Sequence, residues 1–287
     1  MMRFGMSGAD ARYQSERHKS SLDIPAYCAS LGLDAYEYQC NRGVNISPEK
    51  AAEFGQRAKE NDISVSVHAP YYISLSGIDS EIRNKSLTYI ADSARAVHAM
   101  GGQKVVVHAG SAAKLARRDA LDLALSTLSH IPGMLKELEL QNVLICLETM
   151  GKLNQLGTLD EIVEMCRLDD CFAPCVDFGH LNARSQGGLK TRADFEAVFK
   201  TLENGLGRDK MRCFHIHFTK IQYGEKGELR HLTMQDKQYG PDFEELADLL
   251  LKYDCYGTVL SESAGTQGDD AVMLKKIYTD LATQNNQ

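Results

Sequence analysis

Six apolar runs in this 287-residue chain each end on an imidazole or a carboxylate. His68 closes "SVSVH", His108 closes "VVVH", and Glu148 follows "ICL". Asp177 and His180 lie in "PCVDFGH", His215 in "CFHIHFTK" and Glu262 in "VLSESAG". One such residue is ordinarily a satisfied core histidine or a capping carboxylate. A series of six asks for a shared purpose. Imidazole and carboxylate, with no thiolate in line, suit divalent zinc, manganese or iron. Carboxylates can bridge, so Glu148, central in the series, could hold two ions. Paired ions of that kind activate water and brace the oxygens of a phosphoryl transition state. His217 lies two residues beyond His215 on the same strand face and reads as a polar mouth residue or a donor behind a ligand. His18, His98 and His130 fall in loop or helix contexts and read as surface or packing residues.

Positioning these groups requires elements that end at one place. Short β-branched runs alternate with segments of helical period, the pattern of repeated βα units. The strands are predicted at Arg3–Met6, Ala35–Gln39, Ser64–Val67, Lys104–Val107, Val143–Leu147, Ala173–Val176, Arg212–Ile216 and Thr258–Leu260. Between them lie amphipathic stretches such as "SPEKAAEFGQRAKEN", opened by Ser47, and "TLDEIVEMC". No linker, low-complexity tract or composition shift interrupts the series. The first strand is not followed by the GxGxxG turn of a doubly wound dinucleotide fold. The pattern therefore predicts one α/β domain over residues 1–287, a closed (β/α)8 barrel. Chemistry in such barrels collects at the C-terminal ends of the strands, where the six runs end.

Composition is that of an ordinary globular protein, with 43% hydrophobic and 25% charged residues. The N-terminal stretch lacks a signal peptide's apolar core and no run is long enough to span a membrane. A cytoplasmic protein without a membrane partner is expected. The eight cysteines do not form a small-scaffold disulfide framework, and "CFAPC" lacks a second pair to complete a zinc ribbon. Reduced, mostly buried thiols follow. The formal charge of −7 argues against nucleic-acid binding over the whole surface and leaves a local basic face open.

From "HAPYYISL" to "SESAG" the motifs resemble, in order, those of endonuclease IV, the apurinic/apyrimidinic-site endonucleases among the xylose isomerase-like TIM barrels. The resemblance implies zinc, as two or three ions, with manganese or iron as alternatives. It implies one ion on His68, His108 and Glu148, and a second on Glu148, Asp177, His215 and Glu262. A third would sit on His180 and His231. It also implies Glu148, Glu262 and Asp177 as catalytic residues. The reaction is hydrolysis of the phosphodiester 5′ to an abasic site in duplex DNA, leaving a 3′-hydroxyl and a 5′-deoxyribose phosphate. Tyr71 and Tyr72 become candidates for a wedge into the duplex, and Arg184, Lys220 and Arg230 for phosphate contacts.

Two stretches depart from that family's pattern. Leu229 stands where it has an aspartate two residues before His231, leaving Glu228 or Asp236 as replacements. His217 and Phe218 stand where it has asparagine and aspartate. The competing reading is a sugar isomerase or epimerase on the same barrel, with one ion on Glu148, Asp177, His215 and Glu262 and the two glutamates shuttling a proton beside a carbonyl. A barrel that binds a sugar without turning it over is the non-enzymatic reading. His68, His108 and His231 exceed what one ion needs and favour the endonuclease. A monomer is expected.

Overall fold

The computed structural model describes residues 2–15 and 20–285, so His18 lies outside the described residues. The strands are β1 (Arg3–Ser7), β2 (Ala35–Gln39), β3 (Ser64–His68), β4 (Lys104–His108), β5 (Leu144–Glu148), β6 (Phe172–Asp177), β7 (His215–Phe218), β8 (Ile221–Gly224), β9 (Gly227–His231) and β10 (Thr258–Ser261). Eight of them close into a parallel barrel in the order β1-β10-β7-β6-β5-β4-β3-β2. β8 and β9 form a separate antiparallel hairpin between β7 and β10.

Strand alternation explains why so polar a set of residues can occupy the barrel's interior. Val105 and Val107 of β4 face outward and join Val67, Ile145, Leu147 and Ile90 in one apolar shell. Val106 faces inward, where it meets Cys146 and Cys175. A second shell packs Phe4, Ile216 and Phe218 against Phe195, Phe243 and Leu246. Burying each such side chain contributes roughly 1.5–3 kcal/mol. The outer shells thus hold the barrel together, and the inward positions are left free for charge.

Helices are set by local signals. Ser47 Oγ caps helix Pro48–Glu60 by accepting from Lys50 N at 3.3 Å. Thr158 and Glu161 form a reciprocal capping box on helix Leu159–Cys166. Helix Ser80–Ala99 stops before Gly101, whose φ of +74° suits glycine. His98 lies exposed near its end, and His130 is exposed just before helix Ile131–Glu137.

The seventh strand differs from its predicted place. Residues Arg208–Arg212 form a short helix, so β7 begins at His215 and runs on to Phe218. The hairpin has no counterpart among the predicted strands. All eight cysteines are free, with only Cys171 and Cys213 partly exposed. Among the described residues no helix is long and apolar enough to cross a membrane.

Candidate metal centre

Barrel register sets the first contacts: β4 and β5 pair His108 with Glu148, and β6 and β7 pair Asp177 with His217. Glu148, 1% exposed, is the hub. Its Oε2 lies 3.3 Å from His68 Nε2 and 3.0 Å from His108 Nε2. Its Oε1 lies 3.1 Å from His217 Nδ1 and 3.5 Å from His180 Nδ1. Three groups result, each able to offer ligand atoms within 4.8 Å of one another: His68, His108 and Glu148; Glu148, Asp177, His217 and Glu262; and His180, Glu228 and His231. All of these residues but Asp177 and His217 border a cavity of about 770 Å³ at the C-terminal mouth of the barrel.

The ring orientations are fixed from behind. His68 Nδ1 meets the Ala69 carbonyl at 2.8 Å, His180 Nδ1 the Thr149 carbonyl at 2.9 Å, and His231 Nδ1 the Glu262 carbonyl at 3.2 Å. A carbonyl only accepts, so in these bonds Nδ1 carries the hydrogen and Nε2 is the nitrogen left to bind a cation. That is the preparation a metal-ligating histidine receives. Asp177 is placed by the turn it makes: its Oδ1 caps helix Phe178–Arg184 by accepting from His180 N at 2.7 Å.

The donor set fits divalent cations. Asp177 Oδ2 is buried without a hydrogen-bond partner. Two buried carboxylates, Glu148 and Asp177, and the partly exposed Glu262 converge on one imidazole, a density of negative charge that calls for cations. Burial pushes the Glu148 carboxyl up, but the surrounding histidines outweigh it and hold it well below the usual range. Asp177 is raised, chiefly by burial. Burial opposes charging of His68, yet contact with Glu148 lifts its pKa to about 9. Protons therefore occupy positions that an arriving cation would take over.

The structure replaces one residue in the second group. His215, expected there, sits one strand repeat deeper, its Nε2 2.9 Å from Glu37 Oε2, and His217 stands with Glu148, Asp177 and Glu262 instead. The cause is the later end of β7, which moves the mouth by two residues. His217, read as a polar mouth residue or a donor behind a ligand, is thereby placed within that group. Cys175 also faces the interior, near His215 and His217.

The hairpin resolves the position of Leu229. β8 and β9 pair Gln222 with Arg230 but Tyr223 with Glu228, so Leu229 is the extra residue of a bulge. The bulge puts Glu228 in line with His231 and leaves Leu229 59% exposed. Glu228 Oε2 lies 3.4 Å from His180 Nε2, and its Oε1 3.9 Å from His231 Nε2. Asp236 is engaged elsewhere, accepting from Gln238 N and Tyr239 N. Gly227, at φ +87°, lets the hairpin approach the loop after β5, since a Cβ there would meet Gly151 O at 2.2 Å.

Two candidate phosphate contacts have other partners. Arg184 donates to the carbonyls of Met150, Lys152 and Leu153 at 2.8–3.1 Å and so pins the loop after β5. Lys220, 8% exposed, donates to Asp236 O at 2.8 Å and pairs with Asp242 at 2.9 Å. Neither residue lines the mouth cavity. Arg230 is exposed on the hairpin, bonded to Gln222 at 2.7 Å. Tyr71 and Tyr72 are each 49% exposed with ring centroids 4.4 Å apart, and Tyr71 borders the mouth cavity.

Sequence reasoning missed Glu37, which is fully buried inside the barrel beside His215 and His217. Its signal was present in "AYEYQ": an acid between two tyrosines on a strand buried on both faces must point into the barrel.

Comparison with known proteins follows the same outline. A family model described as xylose isomerase-like TIM barrel matches residues 25–276. An uncharacterized protein of Methanocaldococcus jannaschii is 31% identical over 284 residues, covering 98% of each chain. A probable endonuclease 4 of Mycoplasma genitalium is 27% identical over 244 residues, covering 81% of this chain and 77% of that one. Among solved structures, a D-tagatose 3-epimerase-like protein superposes with a TM-score of 0.77 at 21% identity, covering 100% of both chains. Endonuclease IV from Thermus thermophilus superposes with a TM-score of 0.69 at 18% identity, covering 98% of this chain and 99% of that one. At these identities the two structures speak for the fold alone.

Proposed function

The chain belongs to the xylose isomerase-like TIM barrel family, and from that premise we propose that it is a metal-dependent phosphodiesterase that incises DNA 5′ to abasic sites. The observation that carries this reading is that Glu148 belongs to two ligand groups and lies 3.5 Å from His180 of a third. A single-ion enzyme needs one such group. His68, His108, His180 and His231 would be idle in it, although three of the four have the Nδ1 side tied to a carbonyl.

His68, His108 and Glu148 would hold one ion; Glu148, Asp177, His217 and Glu262 a second; His180, Glu228 and His231 a third. Imidazole with carboxylate suits zinc first, then manganese or iron. Such ions, when bound, activate water and neutralise charge on the phosphate. Glu148 joins the groups, and Asp177 and Glu262 orient what binds between them. Tyr71 and Tyr72 offer aromatic faces to an unstacked duplex at the lesion, where extruding the sugar costs no base pair. Arg230 and the exposed Lys152 beside the cavity supply local positive charge that the net charge of −7 conceals. Several relatives named as probable endonuclease 4 support DNA as the substrate.

A second reading has its own observation. Glu148, Asp177, His217 and Glu262 alone form a four-residue group suited to one ion and to proton transfer beside a carbonyl, and an epimerase-like protein shares the fold. The deciding experiment incubates the protein with a duplex carrying a stable abasic analogue, before and after chelator treatment, and in parallel with ketohexoses. Chelator-sensitive cutting on the 5′ side supports the endonuclease. Sugar turnover without cutting replaces it with the epimerase.

A further inference from the structure

We infer that Glu37 is the positioning residue that turns His217, and not His215, toward the metal centre. The inference rests on the metal-centre reading above. The mouth histidines His68, His180 and His231 are each held by a backbone carbonyl at Nδ1. His217 is reversed. Its Nδ1 faces the centre, 3.1 Å from Glu148 Oε1 and 3.5 Å from Glu262 Oε1, and its Nε2 faces down the barrel.

Inside the barrel no strand carbonyl can serve that nitrogen, because ladder carbonyls lie in the plane of the sheet. A side chain must supply the acceptor. Glu37 Oε1 lies 2.9 Å from His217 Nε2 as an ion pair, and that nitrogen has no aligned hydrogen-bond partner among the described residues. Nδ1 is hydrogen-bonded to the Glu148 carboxylate at 3.1 Å; once a cation takes Nδ1, the ring hydrogen belongs on Nε2, where Glu37 is the acceptor within reach.

The same carboxylate disposes of the neighbouring histidine. His215 Nε2 lies 2.9 Å from Glu37 Oε2, and its Nδ1 is buried without a partner, away from Glu148. Ser7 Oγ donates to Glu37 at 3.0 Å and Ser66 Oγ at 2.9 Å, fixing the carboxylate between the two rings. One buried charge thereby sorts the two histidines of "HIH": the upper becomes a ligand and the lower a support.

The full-length protein is stripped by chelation and titrated with Zn²⁺ under competition and with Co²⁺ by absorbance. Long-range ¹H–¹⁵N correlations are recorded on the zinc-loaded, histidine-labelled wild type. The expected result is His217 bound through Nδ1 with a protected Nε2–H, and Glu37→Gln weakening one class of site by about 10–100-fold. Because Glu37→Gln could fail to fold, Ser66→Ala serves as a milder variant, expected to weaken the same class by a smaller factor. Binding through His217 Nε2, a metal-bound His215, or a thiolate-to-cobalt band marking an ion on Cys175 overturns the inference. Unchanged affinity in a folded Glu37→Gln protein does so too. A wild type that takes up no divalent ion overturns the metal-centre reading and this inference with it.

Discussion

The two ends of the barrel hold cavities of nearly equal size, about 770 Å³ at the C-terminal mouth and about 740 Å³ at the N-terminal one. Their charges are arranged differently. At the N-terminal end Arg3 is matched to Asp62 and the Asp34 carbonyl, and Lys104 to the Cys213 carbonyl. At the C-terminal end Glu148 alone faces four histidines, and carboxylates crowd one another. Volume does not tell the ends apart. The convergence of histidines and carboxylates does, and it is what a site for cations requires.

The largest expected effect lies at the hub. Glu148→Gln should lower incision of abasic duplex by on the order of 10³-fold, several kcal/mol of charge stabilisation, while Lys104→Met at the opposite end leaves turnover unchanged. Equal losses in both variants would erase the contrast between the ends. Next comes the hairpin group: Glu228→Gln should cost one bound ion by elemental analysis, whereas Leu229→Asp, pointing to solvent, should change none. A gained ion in Leu229→Asp would show that the bulge does not fix the ligand. Tyr71→Ala and Tyr72→Ala should weaken binding of abasic duplex by about tenfold; retention measurements that match the wild type remove the wedge. The smallest effect separates two arginines. Arg230→Ala should reduce the salt dependence of DNA binding by about one phosphate contact, while Arg184→Ala lowers stability in urea denaturation and leaves that slope alone.

Much of this arrangement was legible because strand ends are punctuated. "VVVHAGS" and "ICLETMG" change from apolar to ionisable where the strand stops, and His108 and Glu148 lie within a residue of the predicted ends. The misreading at β7 has a physical cause. In "CFHIHF" two histidines share one face at a spacing of two, and alternation cannot say which is nearer the mouth; only the strand's end does. The hairpin escaped notice because "IQYGEKGELRH" is too polar and too short to announce two strands. Glu228 could not be chosen over Asp236 because a one-residue bulge, invisible in the sequence, decides which acid faces His231. Arg184 and Lys220 were legible as cations near the motifs, but their partners are distant in sequence.

The hairpin leaves and rejoins the barrel almost at one point. Leu232 N donates to Lys220 O at 2.8 Å, and Thr219 Oγ1 to Leu232 O at 3.3 Å, closing its base. A segment tethered that way behaves as a cassette: it can be exchanged or shortened while the barrel strands keep their registers. Two of the three residues of one ligand group travel with it, whereas Glu148, Asp177, His217 and Glu262 stay behind. Under the metal-centre reading, the step between a three-ion and a two-ion centre would therefore be an insertion or deletion in one loop, not a rebuilding of the core, since His68, His108 and Glu148 also stay with the barrel.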